Sequence, residues 1–220
     1  MPTSSECAVR TESLLFAHIA YPDLAFPAGA LTLVQGPSGC GKSTLLKLVN
    51  RTAAPVAGKV FVFGDDAAKI DPLALRRRVQ LVGQEVLLFD GTVRSNFECF
   101  HAARGNPLPE EKTMRFFLAL AQSPAQLEAK LETMSGGERQ RVFLAVMLSF
   151  EPQVLLLDEP SSALDAQTGR ALFRSIDAWS RAKGITVIAV SHDPTLAEFL
   201  GCRTARLEAP VLVGKEAVHV

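Results

Sequence analysis

Residues 31–49 read LTLVQGPSGCGKSTLLKLV, and this stretch is the strongest indication of the fold. Residues 31–34 are apolar or β-branched, and apolar residues return at helical spacing from Ser43 onward. Residues 36–43 match GxxxxGK[ST] between that strand and that helix. Glycines let the backbone wrap closely around phosphate, and the helix N-terminus adds a favourable dipole. The stretch therefore predicts a strand, a phosphate-binding loop and a helix.

The phosphate loop, residues 36–44, supplies the expected nucleotide contacts. Lys42 would neutralise the outer phosphates, and the Ser43 hydroxyl would help to hold Mg²⁺. Cys40 is a candidate for oxidation, but a small buried cysteine is the simpler interpretation. An ordinary glycine turn is the alternative, although four specified positions seldom coincide in this context. The residues expected to contact the nucleotide are Gly36, Ser38, Gly39, Cys40, Gly41, Lys42, Ser43 and Thr44.

Two further apolar runs, at 154–157 and 185–190, show no polar alternation. Uninterrupted apolar strands are typical of a parallel sheet covered on both faces. Between the runs, a helical pattern begins after Asp165, a plausible N-cap, and stops at Gly184. The sequence therefore predicts an α/β fold with a mainly parallel sheet.

Polar residues follow both of these strands. Asp158 and Glu159 end the first, where ligands of an open α/β sheet collect. Asp158 would hold Mg²⁺, and Glu159 would polarise the water that attacks the γ-phosphate. His192 follows the second strand and could hydrogen-bond the γ-phosphate; a loop or capping histidine is the alternative. Alone, a carboxylate pair at a strand end is often just solvated.

Composition excludes several classes of protein. The formal net charge is zero, which argues against a nucleic-acid partner. No run approaches the roughly 18 apolar residues of a membrane span, and the N-terminus lacks a signal-peptide pattern. The four cysteines are scattered without a CxxC pair, which favours reduced thiols and no structural metal. We expect a cytoplasmic chain with a single domain over residues 1–220.

The segment from 90 to 150 differs from the rest in its prolines and helical patterns. It predicts a mostly helical insertion without a sheet of its own. The tail, residues 203–218, predicts a short hairpin around Gly214, with a helix as the alternative.

The ordered motifs resemble one family closely. GPSGCGKST, Gln84, MSGGERQ, VLLLDEP, SALD and SHD occur in that order, from about residue 31 to 193. This set resembles the ATP-binding subunits of the ABC transporter superfamily. The resemblance implies a P-loop NTPase core, RecA-like, at about 10–88 and 151–220. It also implies a helical ABC signature lobe at about 89–150 and short antiparallel N-terminal strands.

The resemblance assigns the stretch LETMSGGERQRV, residues 131–142, to a second subunit's ATP. In the family, two subunits pack head to tail, and the signature turn contacts the γ-phosphate bound by the partner. Ser135, Gly136 and Gly137 would make these contacts in a homodimer. A helix N-terminus suits an anion, but a simple capping role explains Ser135 and Glu138 equally well.

The resemblance also gives roles to three residues outside these turns. Gln84 would link Mg²⁺ and the attacking water to the helical lobe, and Asp165 would contact the dimer partner besides capping a helix. An aromatic residue usually stacks on adenine ahead of the phosphate loop. Tyr21 fits that role best and Phe16 second, although only 21 residues separate Tyr21 from Lys42. Either ring could instead belong to the core.

The predicted function is an ATPase motor on the cytoplasmic face of a membrane, bound to a separate permease. The segment 84–97, with Phe89 and Phe97, is where the resemblance places permease docking; apolar packing is the alternative. The phosphate loop and LLFDGTVRSNF are similar to the bacterial FetA group, implicated in metal export. A soluble ABC ATPase for iron–sulphur cluster assembly is an alternative function. A P-loop kinase would leave MSGGERQ unexplained.

Overall fold

The computed structural model describes residues 7–208, which contain ten strands and seven α-helices. The strands are β1 (Cys7–Phe16), β2 (Ile19–Ala20), β3 (Ala25–Pro27), β4 (Leu31–Gln35), β5 (Ala57–Val62), β6 (Asp65–Asp66), β7 (Val79–Val82), β8 (Val154–Asp158), β9 (Thr186–Val190) and β10 (Arg203–Arg206). The helices are α1 (Lys42–Val49), α2 (Pro72–Arg78), α3 (Val93–Ala103), α4 (Glu111–Leu120), α5 (Gly136–Leu148), α6 (Ala166–Lys183) and α7 (Leu196–Leu200).

One sheet has the order β10-β4-β9-β8-β7. Strand β4 is parallel to β9 and β10, and β8 is parallel to β9. All residues of β8 and β9 are buried, as their apolar sequences predict. In register, Val34 of β4 and Asp158 of β8 both pair with Val190 of β9. The phosphate loop, Asp158 and the segment leading to His192 therefore start from the same edge of the sheet.

A second sheet is antiparallel, with the order β2-β1-β5-β6 and with β3 also paired to β1. The predicted antiparallel N-terminal strands are confirmed, but β1 is long, at ten residues, and β5 and β6 join it from beyond α1. Sequence reasoning missed these two because half of the residues in 57–62, AGKVFV, are exposed and this segment carries Gly58. Phe26, Leu45 and Val62 share one buried core with the parallel strands.

The middle of the chain is helical, as predicted, with α3, α4 and α5 between residues 93 and 148. The predicted cap of α6 is also present: the Asp165 carboxylate accepts hydrogen bonds from the backbone N–H groups of Gln167 and Thr168, each at 3.0 Å. The helix ends before Gly184, whose φ of 68° lies in the left-handed region that glycine tolerates.

The chain divides into two compact units. Unit 1 comprises residues 1–81, 152–158 and 180–220, and unit 2 comprises residues 82–151 and 159–179. The predicted boundaries differ mainly at residues 159–179, which group with the helical unit. The predicted C-terminal hairpin around Gly214 lies outside the described residues. No helix within residues 7–208 is long and apolar enough to cross a membrane.

Candidate functional site

The phosphate loop connects β4 to α1. Gly41 is the N-cap residue of α1, with φ 92° and ψ 18°, and no side chain caps the helix. This left-handed conformation favours glycine, and a Cβ at Gly41 would in addition overlap the Tyr21 hydroxyl. Ser38 and Gly39 lie exposed at the tip of the loop, whereas Cys40 is 2% exposed and belongs to the core. The buried-cysteine interpretation therefore holds.

Two contacts fix the start of the loop. The Lys42 ammonium donates to the carbonyl oxygens of Gly36 and Pro37, each at 2.9 Å. A Cβ on Gly36 would overlap the carbonyl oxygen of Leu207, because the chain after β10 runs directly beside this glycine. Leu207 also donates its backbone N–H to Gln35 O at 2.7 Å. Gly36 is thus required by close backbone approach.

Ser43 and Asp158 meet in unit 1. The Ser43 hydroxyl donates to Asp158 Oδ1 at 2.9 Å, although 115 residues separate the two in sequence. Asp158 is 6% exposed at the end of β8. A hydroxyl and a carboxylate are the hard oxygen ligands that Mg²⁺ prefers, and here they stand at the base of the phosphate loop. This donor set fits the Mg²⁺ that the sequence predicts.

The remaining predicted catalytic residues follow strands. Glu159 comes directly after Asp158 with φ 55°, which is uncommon for a residue other than glycine, and its carbonyl accepts the Ser162 N–H at 3.1 Å. His192 is exposed two residues beyond β9, in unit 1. Gln84 is exposed two residues beyond β7, in unit 2.

The signature turn, residues 134–138, begins α5 in unit 2. Ser135 is the N-cap, and a complete capping box joins it to Glu138. The Ser135 N–H and hydroxyl both donate to Glu138 Oε2, at 2.8 and 2.7 Å, and the Glu138 N–H donates back to the hydroxyl at 3.3 Å. The Ser135 hydroxyl and N–H hold the Glu138 pKa below its ordinary range.

Gly136 and Gly137 differ from the glycines of the phosphate loop. Neither has a positive φ. Among the described residues, a Cβ on Gly136 would meet nothing within 4 Å, and one on Gly137 would make only ordinary contacts of 3.5 Å or more, nearest to Ala163. Within residues 7–208, neither conformation nor packing requires glycine at these positions.

Asp165 is exposed at the start of α6 in unit 2. Besides the two backbone bonds of the cap, its Oδ2 accepts the Thr168 hydroxyl at 2.6 Å. The Thr168 hydroxyl and the backbone N–H groups hold the Asp165 pKa below its ordinary range. The capping role is thus present, and the carboxylate remains on the surface.

Tyr21 occupies a different place from the one predicted. Its side chain is 5% exposed within the core, and its hydroxyl donates to the Gly41 carbonyl at 3.2 Å. A ring buried in this way has no free face to stack on adenine, so the expected base contact is corrected. Phe16, the second candidate, is only partly buried at the end of β1. The prediction rested on the residues around Tyr21 in the sequence, and these indicate a position in the core equally well.

The comparisons with known proteins identify the family of this chain. The family model described as ABC transporter matches residues 21–162, which include the phosphate loop, the signature turn and the Asp158–Glu159 pair. The chain belongs to the ABC transporter family. It represents that family's ATP-binding cassette, the ATPase domain. The P-loop NTPase fold and the family resemblance predicted from sequence are thereby confirmed.

The chain is also similar to individual named proteins. The cassette is 38% identical to "Probable iron export ATP-binding protein FetA" of Escherichia coli (strain K12), over 76% of this chain and 74% of that protein. It is 39% identical to "Protein STAR1" of Oryza sativa subsp. japonica, over 77% of this chain. The cassette spans about half of that relative's length, 49%.

A solved structure has the same fold. The cassette resembles the dimeric post-hydrolysis state of the ATP-binding cassette MJ0796 bound to ADP and Pi. The TM-score is 0.78 at 25% identity, and the match covers 91% of this chain and 96% of the other. That structure is a dimer with bound ADP and Pi.

Proposed function

We propose that the cassette hydrolyses ATP as the motor subunit of an ABC transporter, working as a homodimer with a separate membrane permease. The observation that carries ATP hydrolysis is the hydrogen bond between Ser43 and Asp158 at the base of the phosphate loop. It joins a phosphate-binding turn to a buried carboxylate at the carboxyl edge of a parallel sheet, where ligands of such folds bind.

Each residue of the site has a distinct task. The ammonium of Lys42, which is partly exposed on the loop, exchanges its two carbonyl contacts for the phosphates of ATP. Ser43, Asp158 and Gln84 would hold Mg²⁺, which when bound neutralises phosphate charge. Glu159 accepts the proton of the attacking water.

His192 completes the catalytic set in this proposal. It stands exposed beyond β9, on the same sheet edge that carries the phosphate loop and Asp158. An imidazole N–H there donates to a γ-phosphate oxygen and stabilises its charge during hydrolysis.

Dimer formation is supported by the signature turn. Gly136 and Gly137 have no requirement for glycine among the described residues, and a helix N-terminus favours an anion. Since nothing within residues 7–208 requires glycine at these two positions, the close approach of a second subunit's ATP would explain why glycine is present. Ser135, Gly136, Gly137 and Asp165 would form this half of each composite site, and the dimeric state of the similar MJ0796 cassette supports dimer formation.

We propose that Phe16, rather than Tyr21, contacts the adenine base. The ring lies at the end of β1, in the hairpin with β2, and is only partly buried. An aromatic face of this kind provides a sequence-tolerant platform for adenine. Tyr21 keeps a role in the site, but not on the base.

A membrane permease and metal or iron export complete the proposal. Leu87 and Phe89 are 64% and 54% exposed in the segment that follows Gln84, where permease docking is expected, whereas Phe97 is fully buried and belongs to the core of unit 2. The identity to the iron export ATP-binding protein FetA supports metal export. Localisation on the cytoplasmic face would follow from the permease.

The mechanism is tested with Glu159→Gln. This variant should bind ATP and accumulate as a dimer, because the carboxylate base is lost while the binding groups remain. Hydrolysis should fall by about 10²- to 10⁴-fold. Phosphate release and size-exclusion chromatography with ATP measure the two effects, and Glu110→Gln, which changes an exposed glutamate at the start of α4, is the matched control. Hydrolysis at the wild-type rate would remove Glu159 from the mechanism.

The partner is tested by purifying the tagged cassette from its native membranes in mild detergent. Mass spectrometry should identify a multispanning protein that binds the wild-type chain and is lost with Leu87→Glu and Phe89→Glu together. Co-purification with soluble cluster-assembly proteins alone would favour the iron–sulphur alternative and overturn the transporter proposal.

A further inference from the structure

Tyr21 lies beneath the phosphate loop. Its hydroxyl donates to the Gly41 carbonyl at 3.2 Å and also hydrogen-bonds the Thr44 side chain. We propose that the Tyr21 hydroxyl is a positioning group for phosphate binding: it fixes the turn from the loop into α1 and thereby tightens binding of the triphosphate part of ATP. This inference rests on the proposed ATP-binding function, and it assigns Tyr21 to the phosphates rather than to the base.

The hydrogen bond from Tyr21 lies at the turn from the phosphate loop into α1. Gly41 is left-handed, no side chain caps α1, and the Gly41 carbonyl already accepts the Leu45 N–H at 2.8 Å. The Tyr21 hydroxyl adds a second bond to that carbonyl and ties the turn to the buried chain after β2. A loop that is held in its binding conformation loses less conformational freedom when the ligand binds, so its affinity is higher.

The hydroxyl is also in the right protonation state. Burial raises the Tyr21 pKa, the hydrogen bond with Thr44 opposes this, and nearby Cys40 raises it further. The net direction is upward, so the phenol remains protonated and donates at neutral pH. Tyr21 is the sole tyrosine of the chain, so phenol absorbance reports this residue alone.

The test compares Tyr21→Phe with wild type by calorimetric titration of the full chain, using Mg²⁺-ATP and Mg²⁺-tripolyphosphate as separate ligands. The variant keeps the ring and leaves Gly41 O bonded to Leu45, so the fold should persist. Loss of the Tyr21 hydroxyl, with its hydrogen bonds to the loop, should weaken the binding of both ligands by the same factor, about three- to tenfold.

Two controls separate this effect from others. Thr186→Val removes a buried hydroxyl that accepts the Gly29 N–H at the start of β9, the end of that strand opposite the phosphate loop, and should leave both dissociation constants unchanged. Phe16→Ala should weaken ATP but not tripolyphosphate, because only ATP carries a base.

The outcomes distinguish this inference from the proposed function. Wild-type affinities in Tyr21→Phe, or loss of ATP affinity with tripolyphosphate unaffected, would overturn the positioning role. The proposed function stands in both cases, provided that Lys42→Ala abolishes binding of both ligands. If wild type and Lys42→Ala both fail to bind ATP, the proposed function itself fails.

Discussion

The phosphate loop and the signature turn are both glycine-rich starts of helices, yet they are stabilised in opposite ways. At Gly41 the loop has a left-handed N-cap without a side-chain cap, and it is held by surrounding groups: Lys42, Tyr21 and the Leu207 backbone. In the signature turn, the capping box of Ser135 and Glu138 provides the hydrogen bonds of the helix start locally. The first turn depends on its tertiary surroundings, whereas the second is complete locally.

The glycines differ in the same sense. Gly36 and Gly41 have no room for a Cβ in this chain. Gly136 and Gly137 have that room within the described residues. The phosphate-loop glycines are therefore explained by the fold, and the signature glycines point to a requirement outside it. Mutation of the two pairs should separate stability from activity.

The largest expected effect is on activity, at Gly137. Gly137→Ala should leave folding and ATP binding by the isolated chain intact, and the extra methyl should slightly favour α5. Because the methyl group would stand in the proposed composite site, hydrolysis should fall by about 100-fold, as when one anion-stabilising donor is lost. Phosphate release, ATP titration and chemical denaturation measure the three quantities.

Mixing variants sharpens this prediction. Gly137→Ala retains an intact phosphate loop, and Lys42→Ala retains an intact signature turn. Their mixture should recover part of the activity that each lacks alone, since one composite site of the heterodimer is complete. Wild-type hydrolysis by Gly137→Ala, or the absence of any recovery, would contradict the distinction between the two turns.

The next effect is on stability, at Gly41. Gly41→Ala forces a residue with a Cβ into the left-handed conformation at φ 92°, which should destabilise unit 1 by about 1–3 kcal/mol. Adding Tyr21→Phe removes the hydroxyl that the new Cβ overlaps, so the double variant should regain part of the loss. The nearest ring carbon, Tyr21 Cζ, would still lie 3.1 Å away. Chemical denaturation of the variants measures this coupling, and equal stability of Gly41→Ala and wild type would contradict it.

Sequence alone predicted the elements that depend on local pattern. The uninterrupted apolar runs of β8 and β9, the Asp165 cap and the helical middle segment are all present. The pairing of Ser43 with Asp158 follows from the family motifs, but its 2.9 Å contact required the parallel register of β4, β9 and β8.

Sequence reasoning failed where the role of a residue depends on whether its side chain is buried. Tyr21 and Phe16 are both aromatic residues near a hairpin, and nothing in their spacing says which ring is enclosed by the core. The structure buries Tyr21 and leaves Phe16 partly exposed. The contact of Leu207 with Gly36 was missed for a related reason, since it joins residues 171 positions apart through β10 and β4.

A smaller effect is expected for the cap of the signature turn. Ser135→Ala removes the hydroxyl from the capping box and should destabilise unit 2 by about 1 kcal/mol. Ser135→Thr retains a capping hydroxyl and should recover most of this loss. Denaturation curves of both variants at neutral pH provide the measurement. A loss as large as that of Gly41→Ala would mean that the signature turn is not stabilised locally.

The smallest expected effect is on the loss of stability at acidic pH, and it distinguishes the signature turn from the phosphate loop by the charge of its capping residue. The Ser135 hydroxyl and N–H hold the Glu138 pKa below its ordinary range, so the unfolded chain takes up this proton first as the pH falls. The stability that the pair contributes is therefore present above the unfolded pKa and is lost as the pH falls through the folded pKa. The first turn of α1 contains no acidic residue and therefore has no local carboxylate cap of this kind; its Ser43 hydroxyl donates instead to Asp158 of β8.

Denaturation at a series of acidic pH values tests this contrast. The wild-type chain should lose stability more steeply than Ser135→Ala, because the variant lacks the hydroxyl that contributes most to the lowered Glu138 pKa. Added salt should weaken the difference, since the carboxylate is near the surface. Asp165→Asn, which removes a separate carboxylate whose pKa is also lowered, should flatten the curve independently of Ser135→Ala. Parallel pH curves for wild type and Ser135→Ala would show that the capping box is not held by the charge of Glu138, and the local stability of the signature turn would then have to come from its backbone alone.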